Sequence, residues 1–256
     1  MKTYGACIIP AVPMRAEPSH KSEMISQLLF GDLYSIEKHQ SQWVKIISLS
    51  DMYEGWIDIA QSYKISTKEK ERLTGIPIFF TQQLINPVIT NTHLQLFLSL
   101  GSILYGQKEF SIGEYYFNVG DLFKDSKQPQ NVTDSIVNIA KNCLNIPYLW
   151  GGKTVMGFDC SGFTQVIFRM HGIQLPRDAS QQFEIGKKVK HLSEGKADDL
   201  AFFGDTKKIT HVGILTEKNQ ILHCSGKVRT DSIDEKGISI RPDEYTHKLR
   251  GIRRYW

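Results

Sequence analysis

The chain has 256 residues, 41% hydrophobic and 23% charged, which are the ordinary proportions of a folded protein with one large or two to three small domains. A net charge of +4 with no Lys/Arg-rich run argues against nucleic acid as a partner. Because no apolar run reaches the length of a membrane span, we expect no membrane partner either.

The N-terminal residues lack the continuous apolar run of a secretory signal, because Pro10 and Pro13 interrupt the only short apolar patch. The widely spaced cysteines predict neither a disulfide framework nor a CxxC metal pair: Cys7, Cys143, Cys160 and Cys224. Both observations favour a cytoplasmic protein. An exported protein whose signal has been removed is the alternative.

Residues 5–60 contain short apolar or alternating runs separated by turn signals, which is typical of a small β-barrel or β-sandwich. The clearest predicted strands are Leu33–Ile36, Trp43–Ile46 and Gly55–Ile57. A polar helix is then predicted from Ser66 to a stop at Gly75.

Residues 76–122 return to strand-forming sequence, and "LSLGSILYG" faintly repeats the earlier "LLFGDLYSI". We therefore expect two related small barrels. The predicted division is a first barrel over residues 1–62, a connector and second barrel over 63–125, and a third domain over 126–256.

The third domain combines helices with later strands. Thr133 or Asp134 is expected to cap a helix whose apolar positions extend to Leu144, and a second helix is expected from Cys160 to a stop at Gly172. The predicted strands that follow are Asp199–Phe203, His211–Leu215, Ile221–His223, Ile238–Ile240 and Leu249–Tyr255. Helices followed by a run of strands indicate the α+β class.

Cys160 lies where the second helix is expected to begin, and the free N–H groups and dipole of a helix start favour a thiolate. A nucleophilic thiol needs a general base, and that base needs a group that orients it. His211 and His223 can supply these two groups if their strands pair as a hairpin. Alternatives are an inert buried cysteine with surface histidines, or a zinc site that also uses Cys224, although no ligand pair has zinc spacing. The sequence identifies no partner for His247.

Four segments in order carry a resemblance: "YLWGGKTVMGFDCSGFTQVIF", "LPRDASQQ", "DLAFFGDTKKITHVGIL" and "ILHCSGKV". Together they resemble the NlpC family of papain-like cysteine peptidases, which cut bacterial cell-wall peptides. The resemblance covers residues 133–256 and implies a papain-like α+β domain with Cys160 as nucleophile, His211 as general base and His223 as orienting residue. It implies oxyanion donors at the Cys160 backbone and the Tyr148 hydroxyl, and no metal or cofactor.

Two bacterial SH3-like barrels before such a domain resemble the γ-D-glutamyl-L-diamino acid endopeptidases of murein recycling, in which the first barrel closes one end of the cleft. The segments "RAEPSHKSEM" and "DMYEGW" match that subfamily. The substrate-binding residues implied are Glu23, Tyr53, Tyr148, Asp159, Ser161, Asp178 and Ala179. Ala179 stands where the subfamily often has serine, so a hydroxyl contact there is left open, with Ser180 adjacent.

The substrate implied is a murein stem peptide with a free N-terminal L-Ala, cut between γ-D-Glu and the diamino acid by a monomeric enzyme. A buried ammonium requires acidic partners, which Glu23 and Asp159 would supply. Alternatives are an amidase or acyltransferase on the same thiol, a hydrolase of intact wall, and a non-catalytic wall-binding module. The choice between meso-diaminopimelate and L-lysine stays open.

Overall fold

The computed structural model describes residues 2–129, 134–217, 219–241 and 243–256. The chain forms two compact units: residues 1–132 with 153–155, and residues 133–152 with 156–256. Residues 153–155 belong to the first unit because their backbone N–H groups donate hydrogen bonds to its side chains. The Lys153 N–H donates to Gln27 Oε1 (2.7 Å) and the Val155 N–H to Ser99 Oγ (3.0 Å). The finer division at residues 62 and 125 stays a prediction.

The first unit begins with a seven-stranded antiparallel sheet in the order β3-β2-β6-β5-β4-β1-β7. The three strands predicted from the sequence are confirmed within it. Alternate side chains fill its interior, including Val12, Val44, Ile46 and Ile57, all fully buried. The strands are β1 (Thr3–Ala6), β2 (Ala11–Arg15), β3 (Met24–Leu29), β4 (Leu33–Gln40), β5 (Trp43–Ser48), β6 (Glu54–Asp58) and β7 (Tyr63–Ile65).

The predicted connector helix is confirmed as α1 (Thr67–Thr74). Ser66 Oγ accepts from the Glu69 N–H at 3.0 Å, and Gly75 ends the helix. Two small antiparallel sheets follow, in the orders β10-β9-β13-β12 and β11-β8. The remaining elements are β8 (Ile78–Phe80), β9 (Ile85–Thr90), β10 (Gln95–Ser99), β11 (Ile103–Tyr105), β12 (Glu109–Ile112), β13 (Tyr115–Asn118), α2 (Leu122–Asp125) and β14 (Lys153–Thr154).

The faint sequence repeat corresponds to the same kind of glycine turn at two places in the first unit. Gly31 follows β3 with φ 85°, and Gly101 follows β10 with φ 76°, a backbone region that favours glycine. The repeats also touch: the Ile103 N–H donates to the Phe30 carbonyl (2.9 Å), and the Tyr105 hydroxyl donates to the Gly31 carbonyl (2.6 Å).

Three α-helices occur in the described part of the second unit: α3 (Ile136–Lys141), α4 (Cys160–Met170) and α5 (Ala179–Glu184). Helix α4 begins at the predicted residue. The cap predicted for α3 is corrected to Ser135, whose Oγ accepts from the Asn138 N–H (3.2 Å); Thr133 lies outside the described residues. The predicted helix was also too long, because α3 ends at Lys141 and Leu144 is exposed beyond it.

The second unit carries a sheet in the order β16-β22-β17-β18-β19-β20-β21, and a pairing of β22 with β21 closes its last six strands into a ring. The α+β prediction is confirmed. The five strands predicted after α5 are present, whereas the polar strands β16 and β20 were missed. The strands are β15 (Gly157–Phe158), β16 (Lys187–Val189), β17 (Leu200–Gly204), β18 (Ile209–Leu215), β19 (Gln220–Ser225), β20 (Lys227–Ile233), β21 (Gly237–Arg241) and β22 (Glu244–Arg254).

Helices within the described ranges are all too short or too polar to cross a membrane.

Candidate active site

Helix α4 presents Cys160 as its first residue. The preceding Asp159 caps the helix, because its Oδ1 accepts from the Gly162 N–H at 2.6 Å. The cysteine side chain is 8% exposed, whereas the other three free cysteines are fully buried: Cys7, Cys143 and Cys224. Cys160 is therefore the cysteine with access to solvent.

The protonation of Cys160 differs from the prediction. Burial raises the pKa of its thiol to about 12, and the adjacent Asp159 carboxylate adds to the rise. Hydrogen bonds from the backbone N–H groups of Val212 and Ser161 and the charge of Arg177 oppose that rise but are smaller. The expected lowering by the helix start is wrong, because desolvation outweighs it. The bond from Val212 places the sulfur against β18, one residue from His211.

His211 and His223 lie on the neighbouring strands β18 and β19, and their rings meet. His211 Nε2 is 2.8 Å from His223 Nδ1, and both side chains are buried. Gly213, directly opposite His223 in the ladder, provides the space, because a Cβ at this position would lie 2.7 Å from His223 Cβ. The bond to His223 leaves His211 Nδ1 as the ring nitrogen for another partner.

Asp231, Arg229 and His247 also belong to this cluster, and the sequence did not identify them. His223 Nε2 lies 2.9 Å from Asp231 Oδ2, which also accepts from Arg229 Nη2 at 2.9 Å. On the other side, the His247 ring lies over His211 with centroids 4.2 Å apart and planes at 30°. Asp231 lies on the missed strand β20, so its register opposite β19 was not predictable.

His211 is held as a neutral base. Burial lowers its pKa well below the ordinary value of 6.5, and the nearby His223, His247 and Arg229 lower it further. Burial also lowers the pKa of His247 to about 4. A neutral imidazole beside a protonated thiol can accept the thiol proton as the sulfur attacks.

A protonated resting thiol leads to a spectroscopic prediction. At neutral pH the protein and its Cys160→Ser variant should show no difference in thiolate ultraviolet absorbance, because the raised pKa keeps the sulfur protonated. The kcat/KM for peptide hydrolysis should also hold its plateau below pH 6.5, since His211 stays unprotonated there. A thiolate signal at neutral pH, or an acid limb above 6.5, would contradict this description.

The cluster offers no evident metal site: within the described ranges, no group of three or more His, Cys, Asp or Glu side chains is arranged to hold one ion.

Asp159 takes part in a buried ion pair. Its carboxylate bonds both Nη atoms of Arg177, a side chain 1% exposed, and Arg177 Nη1 also donates to Ser161 Oγ at 2.9 Å. Asp159 Oδ2 further accepts from the Gly151 N–H (2.9 Å). The structure thus joins the predicted Asp159 and Ser161 through Arg177, the first residue of the segment 177–179 that the resemblance matches to substrate binding.

Arg177 should be important for stability. In Arg177→Met the buried Asp159 carboxylate loses its cation, which should lower the free energy of unfolding by about 3–5 kcal/mol. The matched control in the same unit is Arg241→Met, at an exposed site on β21, which should change it by less than about 0.5 kcal/mol. Urea titrations followed by circular dichroism measure both. An equal loss of free energy of unfolding in the two variants would show that the Arg177–Asp159 ion pair makes no specific contribution to stability.

The other predicted binding residues of this unit lie at two places. Burial raises the pKa of Tyr148, and Cys160 and Asp159 add to the rise, so its phenol is within electrostatic reach of both. Asp178 is half-buried and caps α5 in a capping box with Gln181. Ala179 is buried as the first residue of that helix.

Glu23 and Tyr53 belong to the first unit. Glu23 is exposed just before β3, where its carbonyl accepts from the Ala16 N–H at 3.0 Å. Tyr53 is half-buried between β5 and β6, after Met52 with φ 57°. Their roles toward a substrate stay predictions.

Comparison with known proteins matches both units. Residues 145–246 match the NlpC/P60 family, and residues 14–61 match the bacterial dipeptidyl-peptidase Sh3 domain. The gamma-D-glutamyl-L-lysine dipeptidyl-peptidase of Bacillus subtilis is 30% identical over 247 residues, covering 90% of this chain and 80% of that protein. The protein of the same name from Bacillus cereus is 28% identical over 93% of this chain and 77% of its own length.

Solved structures share the fold. A crystal structure of an NlpC/P60 family protein from Bacillus cereus superposes with a TM-score of 0.82 at 20% identity, covering 98% of this chain and 99% of that one. An NlpC/P60 endopeptidase from Photobacterium damselae gives a TM-score of 0.72 at 16% identity, over 97% of this chain and 70% of that one.

Proposed function

This chain belongs to the NlpC/P60 family, and from that premise we propose that it is a cysteine peptidase that hydrolyses the bond between γ-D-Glu and the diamino acid of murein peptides. The observation that carries the proposal is the hydrogen bond from the Val212 N–H to the Cys160 sulfur, which places the sulfur at β18, one residue along the chain from His211. His211 is in turn 2.8 Å from His223. The two named relatives support the choice of bond, and their name favours L-lysine as the diamino acid.

The proposed chemistry is acyl transfer to the thiol. As Cys160 Sγ bonds to the γ-carbonyl carbon of D-Glu, its proton passes to His211. The imidazolium then protonates the amine of the diamino acid as the carbon–nitrogen bond breaks. Water attacks the thioester with His211 again as base, which releases the new carboxylate and restores the thiol. The Cys160 backbone N–H and the Tyr148 hydroxyl are the proposed oxyanion donors.

We further propose that the peptide has a free N-terminal L-Ala, bound as an ammonium by Glu23, with Tyr53 beside it. The relatives' name supports this, because a dipeptidyl-peptidase releases a dipeptide from an amino terminus. The Asp159 carboxylate already forms an ion pair with Arg177, so we assign the ammonium to Glu23. Such a substrate is a released fragment, and we propose that a monomeric enzyme acts on it in the cytoplasm.

The ammonium assignment predicts which substrates are cut. The kcat/KM for free L-Ala-γ-D-Glu-L-Lys should be about 10⁴-fold higher than that for its N-acetyl form. The acetylated amine carries no charge, so it would leave the acidic groups of the site without their ammonium partner. Whole sacculi, in which L-Ala carries no free amine, should not be digested. Comparable cleavage of all three substrates would make this a hydrolase of intact wall instead.

Glu23→Gln separates the charge from the rest of the site. It should cost about 2–5 kcal/mol of transition-state stabilisation on the free peptide and shrink the preference over the N-acetyl form. Glu17→Gln, an exposed carboxylate in the same segment between β2 and β3, is the matched control and should keep both values. If the two variants behave alike, the ammonium does not bind at Glu23.

A further inference from the structure

Asp231 carries a negative charge at neutral pH. His223 lowers the pKa of its carboxyl by a hydrogen bond and by charge, and Arg229 lowers it further. The side chain is 16% exposed, on β20 beside β19, and both partners reach the same oxygen, Oδ2, each at 2.9 Å. A carboxylate only accepts hydrogen bonds, so His223 Nε2 must carry the proton it donates.

That proton fixes the rest of the chain of bonds. A neutral His223 protonated at Nε2 has a bare Nδ1, which can only accept. In this tautomer of His223, the donor is His211 Nε2, 2.8 Å away. A neutral His211 protonated at Nε2 has its lone pair at Nδ1, the ring nitrogen that His223 does not engage.

We propose that Asp231 is a positioning residue that fixes, through His223, the tautomer of His211 in which Nδ1 is unprotonated. With Asp231 absent, His223 can donate from Nδ1 instead, and His211 then accepts at Nε2 and carries its proton on Nδ1, where it cannot take one from the thiol. The His247 ring packs against the face of the His211 ring. The inference rests on the proposed role of His211 as base.

Two substitutions separate the tautomer from the charge. Asp231→Ala removes the acceptor of the His223 hydrogen bond. It should lower kcat by at least about tenfold with little change in KM, because less His211 would have the unprotonated Nδ1 that accepts the thiol proton, while substrate binding is unaffected. Asp231→Asn should restore most of that loss, because Arg229 holds the amide oxygen at the Oδ2 position, where it still accepts from His223. The matched control, Asp205→Ala in the exposed turn between β17 and β18, should leave kcat unchanged.

Nitrogen-15 NMR of the imidazoles in the whole chain gives a readout independent of turnover. In the wild type and in Asp231→Asn, His211 Nδ1 should show the shift of an unprotonated nitrogen; in Asp231→Ala the two His211 nitrogens should share the proton. A protonated Nδ1 in the wild type would overturn the inference, as would an unchanged tautomer in Asp231→Ala. If the tautomers behave as expected but no peptide is cut, the proposed function fails and the positioning role of Asp231 stands.

Discussion

Replacing Cys160 with alanine should abolish peptide hydrolysis, with kcat falling by about 10⁴-fold or more, because the atom that forms the covalent intermediate is lost. Substrate binding and the free energy of unfolding should change little, since the small side chain lies at the start of α4 and makes no ion pair. Peptide turnover and calorimetric binding measured on the same preparation test this. Loss of binding together with turnover would point to a folding defect rather than to a nucleophile.

Alkylation identifies the same sulfur independently. Iodoacetamide should label Cys160 well before Cys7, Cys143 and Cys224, because those three are fully buried and the proposed base, His211, would accept the proton of the Cys160 thiol. The label should be slower to form in His211→Ala. Equal labelling of all four cysteines at neutral pH would contradict the assignment.

His211→Ala should lower kcat nearly as far as Cys160→Ala. The two groups act as one unit: with a thiol pKa raised to about 12, the sulfur is a poor nucleophile unless a base removes its proton during attack. The double variant should be no slower than either single one. Steady-state rates of the three variants test this, and additive losses would show that the residues act separately.

His223 should be tolerant of a hydrogen-bonding substitute. His223→Gln keeps an oxygen that can accept from His211 Nε2, so it should retain more activity than His223→Ala, which leaves a buried donor without its partner. The ratio of kcat for the two variants measures the effect. Full activity in His223→Ala would assign the orienting position to another residue.

Local features of the fold were predictable because local chemistry determines them. Ser66 and Gly75 bound α1 at the predicted residues, and α4 begins at Cys160 because Asp159 caps it. Strand β20 was missed because its sequence, KVRTDSI, alternates charged residues with few apolar ones and carries no turn signal. The length of α3 was misjudged because apolar periodicity continues past its last helical residue.

The residues of the site also differ in how far the sequence predicts them. Cys160, His211 and His223 were found from motifs, yet Asp231, Arg177 and His247 join it through strand register and packing, which a single sequence does not specify. The pKa of the thiol failed as a prediction for a related reason: the effect of the helix start is local, whereas the burial that outweighs it comes from the whole unit.

The central claim is hydrolysis of the γ-D-Glu–diamino acid bond by the Cys160 thiol, and product mass spectrometry in heavy-oxygen water tests it most directly. With L-Ala-γ-D-Glu-L-Lys and its meso-diaminopimelate counterpart as substrates, and with Cys160→Ala as the blank, we expect L-Ala-D-Glu carrying one heavy oxygen in its γ-carboxylate, plus the unlabelled diamino acid. Cleavage between L-Ala and D-Glu, transfer of the acyl group to an added amine in place of water, or equal product from Cys160→Ala would contradict the claim.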